Sequence, residues 1–476
     1  MKLQRTTLFT FSTLMILLLG LIFVGPDSAA TQNVKTTSDD QTEIAITIYN
    51  DGTGLVKDTR TLDLPDGQFD LIFMDVASSI DPTSVRFVSI KNPDAITVLE
   101  QNYEYDLVNS AALFQKYVDK EITVRTEDGR VISGTLLSNA DGLILQTDEG
   151  IMVLNNAVET TFEKLPEGLI TRPTLRWSLL NSTAGNHDCE MMYLTSGMGW
   201  NANYVAVVSQ NDDKLDLSGW VTINNNSGTA YHDALLKLVA GEIHRVQPQY
   251  QKYAYDNVMM AEGGGAEDYG FQEESFFEYH LYTLQQPATV LNNQQKQISL
   301  LEGEGIGAQK ILVFDPGYAY SYSGDTAKGT IKVNLKFRNS EQNGLGIPLP
   351  KGTIRVYKKD ASGSLQFIGE DSIDHTPKDE DLEIFLGEAF DITGERVVLD
   401  RRMIRDKVWE YDVKVTIRNH KTESIRVKYD DNVYGDWEVR TSSLDWKQKD
   451  ASTIEFEIPV AVDGETSLTY TIRKQW

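Results

Sequence analysis

Cysteine is almost absent from this chain: among 476 residues there is one, Cys189. A single thiol closes no intrachain disulfide and completes no zinc ribbon, so stability has to come from a buried core. Histidine is nearly as scarce. The six, at 187, 232, 244, 280, 375 and 420, are scattered and form no H-x-x-x-H pair, so the helix-borne zinc signature is missing. Basic residues are outnumbered 44 to 70, a net charge of −26. Such a surface repels nucleic acid and anionic lipid and favours solubility, and no nucleic-acid partner is expected. The chain also lacks a G-x-S-x-G elbow, a P-loop, a G-x-G-x-x-G turn after a strand and a D-x-[DN]-x-[DN]-G calcium loop. Those absences remove the common signatures of serine hydrolases, nucleotide enzymes and EF-hand sites.

Long apolar runs are missing too, except at the start. Lys2 and Arg5 precede the run LMILLLGLIFV, and Ser28-Ala29-Ala30 supplies small residues for a signal peptidase. This is the layout of an export signal, with cleavage expected after Ala30. The run is shorter than the roughly 20 residues of a spanning helix, although retention as an N-terminal anchor is the alternative. No cysteine sits near the cleavage site to carry a lipid. The expected location is therefore periplasmic, cell-envelope or extracellular, with no transmembrane span in the mature chain. Loss of Lys2, Arg5 and Asp27 leaves that chain with 42 basic and 69 acidic residues, a net charge of −27.

What is present is period-two alternation. "EIAITIY", "GWVTIN", "IKVNLKFRN", "VKVTIR" and "STIEFEIPVAV" alternate apolar and polar residues, as strands with one buried face do. Turn dipeptides follow at Asp51-Gly52, Asp66-Gly67, Asp128-Gly129, Asp141-Gly142 and Asp463-Gly464. Three alternating runs end in asparagine, at Asn225, Asn339 and Asn419, a residue suited to the end of a hairpin. The expected fold class is mostly β: stacked antiparallel β-sandwich domains plus a small five-stranded barrel.

That barrel is read at 109–165. Asn109 and Ser110 can cap a short helix in which Leu113 and Tyr117 share a face. Five short strands follow, from "EITVRTE" to "VETTFEKL", with Gly134 placed to allow a sharp bend. Helix and strands together resemble an Sm-like or SH3-like barrel. Such barrels often bind RNA, but five basic against nine acidic residues here favour a spacer or interaction module. The remaining divisions are a linker at 31–42, an N-terminal β domain at 43–108, a β domain at 166–330 and a C-terminal sandwich at 331–476. A glycine-rich irregular insertion is expected at about 247–275, around "AEGGGAEDYG".

The stretch "GNHDCEMMYLTSGMGW" concentrates the chemistry-bearing residues His187, Asp188, Cys189 and Glu190. A thiol nucleophile needs a depressed pKa and an imidazole in reach. In a strand, His187 would share a face with Cys189 at about 7 Å. Met191, Met192, Tyr193 and Leu194 then read as entry into a core, with Gly197 and Gly199 making a turn and Trp200 and Tyr204 packing the returning strand. We single out no catalytic, cofactor-binding or metal-ligating residue and expect no cofactor. Two N-x-[ST] sequons occur, at Asn181 and Asn225.

Further blocks add a likeness: "YLTSGMGWNANYVAVV" with Tyr193, Gly197, Trp200 and Tyr204, then Gly219-Trp220, Asn224, Ser227-Gly228 and Leu238-Val239-Ala240-Gly241, and later "IRNHKTESIRVKYDDNVYGDWEV". Residues 169–476 resemble the DUF-4139 family, whose relatives include mucoidy-inhibitor-A-like proteins. Residues 43–107 resemble the β domain that precedes it there. Those relatives commonly carry a coiled coil where this chain has its small barrel, so coiled-coil assembly does not carry over. The resemblance implies an exported, envelope-associated or extracellular β protein and brings no catalytic residues. The first expectation is a non-enzymatic binding or structural module meeting an envelope or extracellular protein or glycan, through a sheet edge or the glycine-rich insertion. The alternatives are a hydrolase of envelope polysaccharide or peptide, using residues such as Trp200, Tyr204, Asp233 and Glu242 between β domains, and a divalent-cation-dependent adhesin.

Overall fold

The computed structural model describes residues 32–140, 142–155, 157–241, 243–244, 271–317 and 326–475. The export signal expected at 1–30 and the centre of the glycine-rich insertion lie outside the described residues. Within them are thirty strands and one α-helix, Ser110–Lys116. The strands make sheets of four, five, eight and thirteen members, so the protein is mostly β, built of stacked β domains. Alternation in sequence becomes alternation in burial. In Thr53–Leu64 and Gly185–Ser196, which pair over their whole length, every second side chain enters the core. Four of the pairings are parallel rather than antiparallel, including Gln41–Tyr49 with Tyr231–Ala240.

Three expected divisions are corrected. Residues 32–42 of the expected linker are regular structure. Strand Gln32–Thr36 runs parallel to Gly67–Met74, and Thr37 opens a 3-10 turn, Ser38–Asp40, with a full capping box. It was illegible because an edge strand, exposed along most of its length, needs no apolar alternation. The N-terminal β domain is not separate either. Its strands pair with Thr174–Asn181, Gly185–Ser196 and Tyr231–Ala240, all beyond the barrel. Nor does the chain divide at 330. Strands Gln294–Phe314, Thr326–Arg338 and Asp381–Arg405 pair in sequence and feed two hydrophobic cores. Leu335, Phe337, Ile354 and Ile384 belong to the first core, whereas Leu312 and Phe314 belong to the second. Part of the expected irregular insertion is also regular: Phe271–Phe276 is a strand paired with Tyr279–Leu284.

The small barrel is an insertion with its own core of Tyr117, Ile122, Val124, Leu136 and Leu145. Glu121–Thr126, Val131–Ser138, Leu143–Thr147 and Gly150–Leu154 form a meander, and Ala157–Thr161 returns beside the first strand. Gly134 sits where a Cβ would lie 2.6 Å from the Gln146 carbonyl oxygen, so only glycine allows that approach. The Tyr117 hydroxyl donates to the Lys164 carbonyl and accepts from the Lys164 N–H at 2.9 Å, binding the helix to the end of the module. Its neck is pinned by Val108 N–H to Ile170 O at 2.9 Å and Ile170 N–H to Asp106 O at 3.1 Å.

The recurring asparagines are buried. Asn225 accepts from Ser227 N–H at 3.1 Å and donates to the carbonyls of Thr229 and Leu291 at 2.9 and 3.2 Å. Asn339 accepts from Gly346 N–H at 3.0 Å and donates to Ile347 and Pro377 carbonyls at 2.7 and 3.0 Å. Asn419 accepts from Lys421 N–H at 3.0 Å and donates to Glu423 and Ala461 carbonyls at 2.8 and 2.9 Å. Asn181 does the same, donating to Pro65 and Thr183 carbonyls. Each amide closes its own turn and ties it to a distant loop. Both sequon asparagines are thereby at most 1 % exposed, with their amide nitrogens engaged, and neither is placed to accept a glycan.

Strand Gly464–Gln475 lies inside the second sandwich, with Leu468, Tyr470 and Ile472 in the core. Lys474, which breaks its apolar alternation, is fully buried near Arg396 and Asp431. Around them, Arg396 Nε donates to the Tyr429 hydroxyl at 3.0 Å, and Tyr470 donates to Asp431.

Two outcomes follow from this packing. Replacing Asn225, Asn339 or Asn419 by alanine leaves buried carbonyls without donors, so each change lowers stability by about 2–4 kcal/mol, read from urea midpoints. A loss below about 0.5 kcal/mol at all three would sink the clasp account. Burial lowers the Lys474 pKa from 10.5 to about 8, with Arg396 adding to the shift and Asp431 opposing it. Between those values the unfolded chain binds the extra proton, so stability rises with pH across that window. Measured against Lys474→Met, the wild-type midpoint therefore climbs from about pH 8 to about pH 10; a flat difference contradicts the assignment.

Candidate functional site

The stretch that concentrated the candidate residues is a core strand. Cys189 is fully buried, paired across the sheet with Arg60 on one side and Ser89 on the other. Burial, with a smaller push from Asp188, raises its thiol pKa to about 12, the opposite of what a nucleophile requires. His187 shares the inward face but is committed elsewhere. Its Nδ1 lies 3.1 Å from Ser89 Oγ and its Nε2 2.7 Å from the Thr183 carbonyl oxygen. The carbonyl can only accept, so in the neutral ring Nε2 carries the proton and Nδ1 accepts from Ser89. Asp188 points outward to Lys91 at 2.6 Å and Thr61 at 2.8 Å, and these partners hold its carboxyl below the usual range. Among the described residues no group of three or more His, Cys, Asp or Glu side chains is placed to hold a metal.

After Ser196 the chain turns at Gly197, whose φ is 79° and whose Cβ would meet the Asn226 carbonyl oxygen at 2.7 Å. Gly199 is not part of this turn; it already lies in the returning strand, opposite Asn224. That strand, Met198–Val208, delivers Trp200 and Asn201 to an open cleft of about 490 Å³. The cleft forms where strand ends from the eight-stranded and thirteen-stranded sheets converge. Asn50 and Asp51 come from the turn before Thr53–Leu64, and Gly241 and Ile243 follow Tyr231–Ala240. Lys351, Gly352 and Thr353 open Gly352–Lys359, while Ser372 and His375 lie at and beyond the end of Leu365–Ile373.

The walls are fixed by hydrogen bonds. Asn50 Nδ2 donates to the Trp200 carbonyl at 3.1 Å, and the Trp200 indole donates to the Val239 carbonyl at 3.2 Å. Asp51 Oδ1 accepts from Thr53 N–H at 3.0 Å, an Asx-turn that shapes the rim. The Lys351 N–H donates to His375 Nδ1 at 3.2 Å, which makes Nε2 the donor in the neutral ring. Asn50 Oδ1 is buried and has no hydrogen-bond partner among the described residues. At the edge, the Tyr279 ring lies over Gly241, where a Cβ would be 2.4 Å from Cδ1. Tyr49 is close by; burial and the nearby Asp51 and Tyr279 raise its phenol pKa. Phe277, 82 % exposed at a hairpin tip, is 6.2 Å from the Tyr279 ring.

This arrangement can hold a ligand through amides, hydroxyls and aromatic surface. Its two chemically versatile groups are engaged with the main chain: Asp51 braces a turn, and His375 Nδ1 is taken by Lys351 N–H. Of the hydrolase candidates, only Trp200 lines the cleft. Tyr204 is buried with its hydroxyl on the Pro350 carbonyl at 2.7 Å, Asp233 faces Thr289, and Glu242 lies outside the described residues. The cleft's other residues were missed. Asp51-Gly52 was visible as a turn and His375 as an isolated histidine, but nothing in one dimension brings residues 50, 201, 351 and 372 together.

No family model and no curated protein matches the chain. A thiol as buried as Cys189 should stay inert to a disulfide reagent such as DTNB in the native protein at pH 8, reacting only on unfolding. Stoichiometric native labelling at the unfolded rate would contradict the placement.

Proposed function

We propose that this chain is an exported, non-enzymatic binding or support module of the cell envelope or extracellular space, related to the DUF-4139 family. Export rests on the basic start, apolar run and small residues up to Ala30. Among the described residues no helix is long and apolar enough to cross a membrane. The family reading rests on the Tyr193, Gly197, Trp200 and Leu238-Val239-Ala240-Gly241 blocks. Gly197 makes the turn that places Trp200 at the cleft, and Gly241 gives Tyr279 room beside it.

The observation that carries the binding reading is the cleft itself. Its lining mixes polar and apolar groups, it is of ligand-site size, it is braced by main-chain hydrogen bonds, and its Asp51 and His375 hold the walls. A binding site wants such rigidity. The envelope partner is a protein or glycan.

Cross-linking in intact cells, with the full chain as bait and mass spectrometry of what is attached, tests the reading. The expected result is reproducible capture of one envelope protein or glycan. Recovery of the chain alone overturns it. Release of sugar or peptide fragments from envelope preparations by the purified protein, abolished by an acidic-to-alanine change, would overturn the non-enzymatic part.

A further inference from the structure

We infer that copies of this chain associate head to tail through two hairpin ends of opposite charge. The acidic, aromatic end formed by Phe271–Phe276 and Tyr279–Leu284 in one copy meets the basic, aliphatic end formed by Asp381–Arg405 and Val408–Asn419 in another. The contact is a property of the chain alone and holds whether or not the cleft takes a ligand.

The first end is aromatic where the backbone disfavours it. Phe276 pairs with Tyr279, so Phe277 and Glu278 make a two-residue turn. Phe277 has a φ of 59°, a left-handed conformation ordinary for glycine or asparagine and an outlier for a bulky residue. The ring is 82 % exposed, with Phe276 beside it 57 % exposed. Glu273, Glu274 and Glu278 flank the two rings, and 271–279 holds no lysine or arginine. Glu274 and Glu278 make no ion pair among the described residues.

The second end has the opposite sign. In 401–407 four basic residues stand against one acidic residue. Arg401 lies over the Trp409 ring at 4.0 Å, and Arg402 is held by Asp400, Glu410 and Asp412. Arg405 and Lys407 are exposed and make no ion pair among the described residues. A register shift between Met403 and Arg405 leaves Ile404 without an opposite residue. Met403 and Ile404 are 60 % and 46 % exposed.

Each end supplies what the other lacks. Arg405 and Lys407 match Glu274 and Glu278 in charge, and a cation also sits favourably on a phenylalanine face. Methionine adapts its shape to a ring. The ends pack on different cores, Phe271 and Tyr282 in the first, Val398 and Tyr411 in the second. Both stay exposed, so neither covers the other within one chain. The chemistry that the acidic tip requires of a partner is thus present on the chain itself, and every copy carries both halves of the contact. Two acidic bodies repel in general, but that repulsion is screened over about 8 Å at physiological salt, while groups in contact still attract. Three carboxylates beside the rings oppose insertion into an anionic lipid surface.

The test is sedimentation velocity of the purified chain from about 5 to about 300 µM at about 0.15 M salt. Association with a Kd at or below about 100 µM is expected. Phe277→Asn keeps the turn, because asparagine tolerates the left-handed conformation, and should weaken association at least about tenfold. Glu274→Lys with Glu278→Lys, and Arg405→Glu with Lys407→Glu, should each give a chain of unchanged melting temperature that is monomeric alone. The two charge-reversed chains should associate when mixed, since each then meets ends of opposite sign. A wild type that stays monomeric throughout, association that ignores Phe277→Asn, or charge-reversed chains that associate alone or fail to associate on mixing overturns the inference. Retention of the wild type but not of Phe277→Asn on phosphatidylcholine vesicles, without self-association, also overturns it and assigns the tip to a lipid surface.

Discussion

A buried amide at the end of a strand is the constraint on which this structure most depends. Where a chain leaves a sheet and folds over a core, its main-chain groups lose both their strand partners and water. At Asn181, Asn225, Asn339 and Asn419 one side chain meets that need twice. Its oxygen accepts from the turn that follows, and its nitrogen donates to that turn and to a loop far off in sequence. No other short side chain carries two donors and a two-lone-pair acceptor without charge. Aspartate would set a carboxylate against carbonyl oxygens; leucine would leave every group unpaired.

The cleft inherits its shape from one of these clasps. Asn339 holds Ile347 and Pro377, on loops that continue to Lys351 and His375. Between them Leu349 bridges Thr376, and Lys351 N–H meets His375 Nδ1. The wall is thus set from behind by a buried amide and finished at the surface by an imidazole. On the opposite wall, Gly197 turns the chain and Asn50 holds the Trp200 carbonyl. Sites of this kind gather at strand ends, where loops from several elements meet on a rigid base.

Much of this fold was legible because alternation reports the exposure of a single strand. Runs such as 413–418 and 452–462 announced themselves, and the turn residues set the meander of the small barrel almost strand by strand. The asparagine theme was visible as well, although as a hairpin end rather than a buried clasp. Pairing partners were not legible. Thr53–Leu64 and Gly185–Ser196 are separated by the entire barrel, and alternation says which face is buried without saying beside what. The same limit hid the first strand, whose neighbour is Gly67–Met74, and the cleft, whose residues come from five places in the chain.

The lone cysteine and the cleft belong to one argument. Cys189 sits in a strand whose inward face is His187, Cys189, Met191 and Tyr193, a run that buries a thiol and an imidazole as packing groups. That strand continues through the Gly197 turn into Met198–Val208, which carries Trp200 and Asn201. Cys189 and His187 therefore lie inside the support, while the described lining of the cleft mixes amides and hydroxyls with Asp51, Lys351 and His375. The binding reading proposed above rests on that division, a braced frame behind a face of mixed polar and apolar groups.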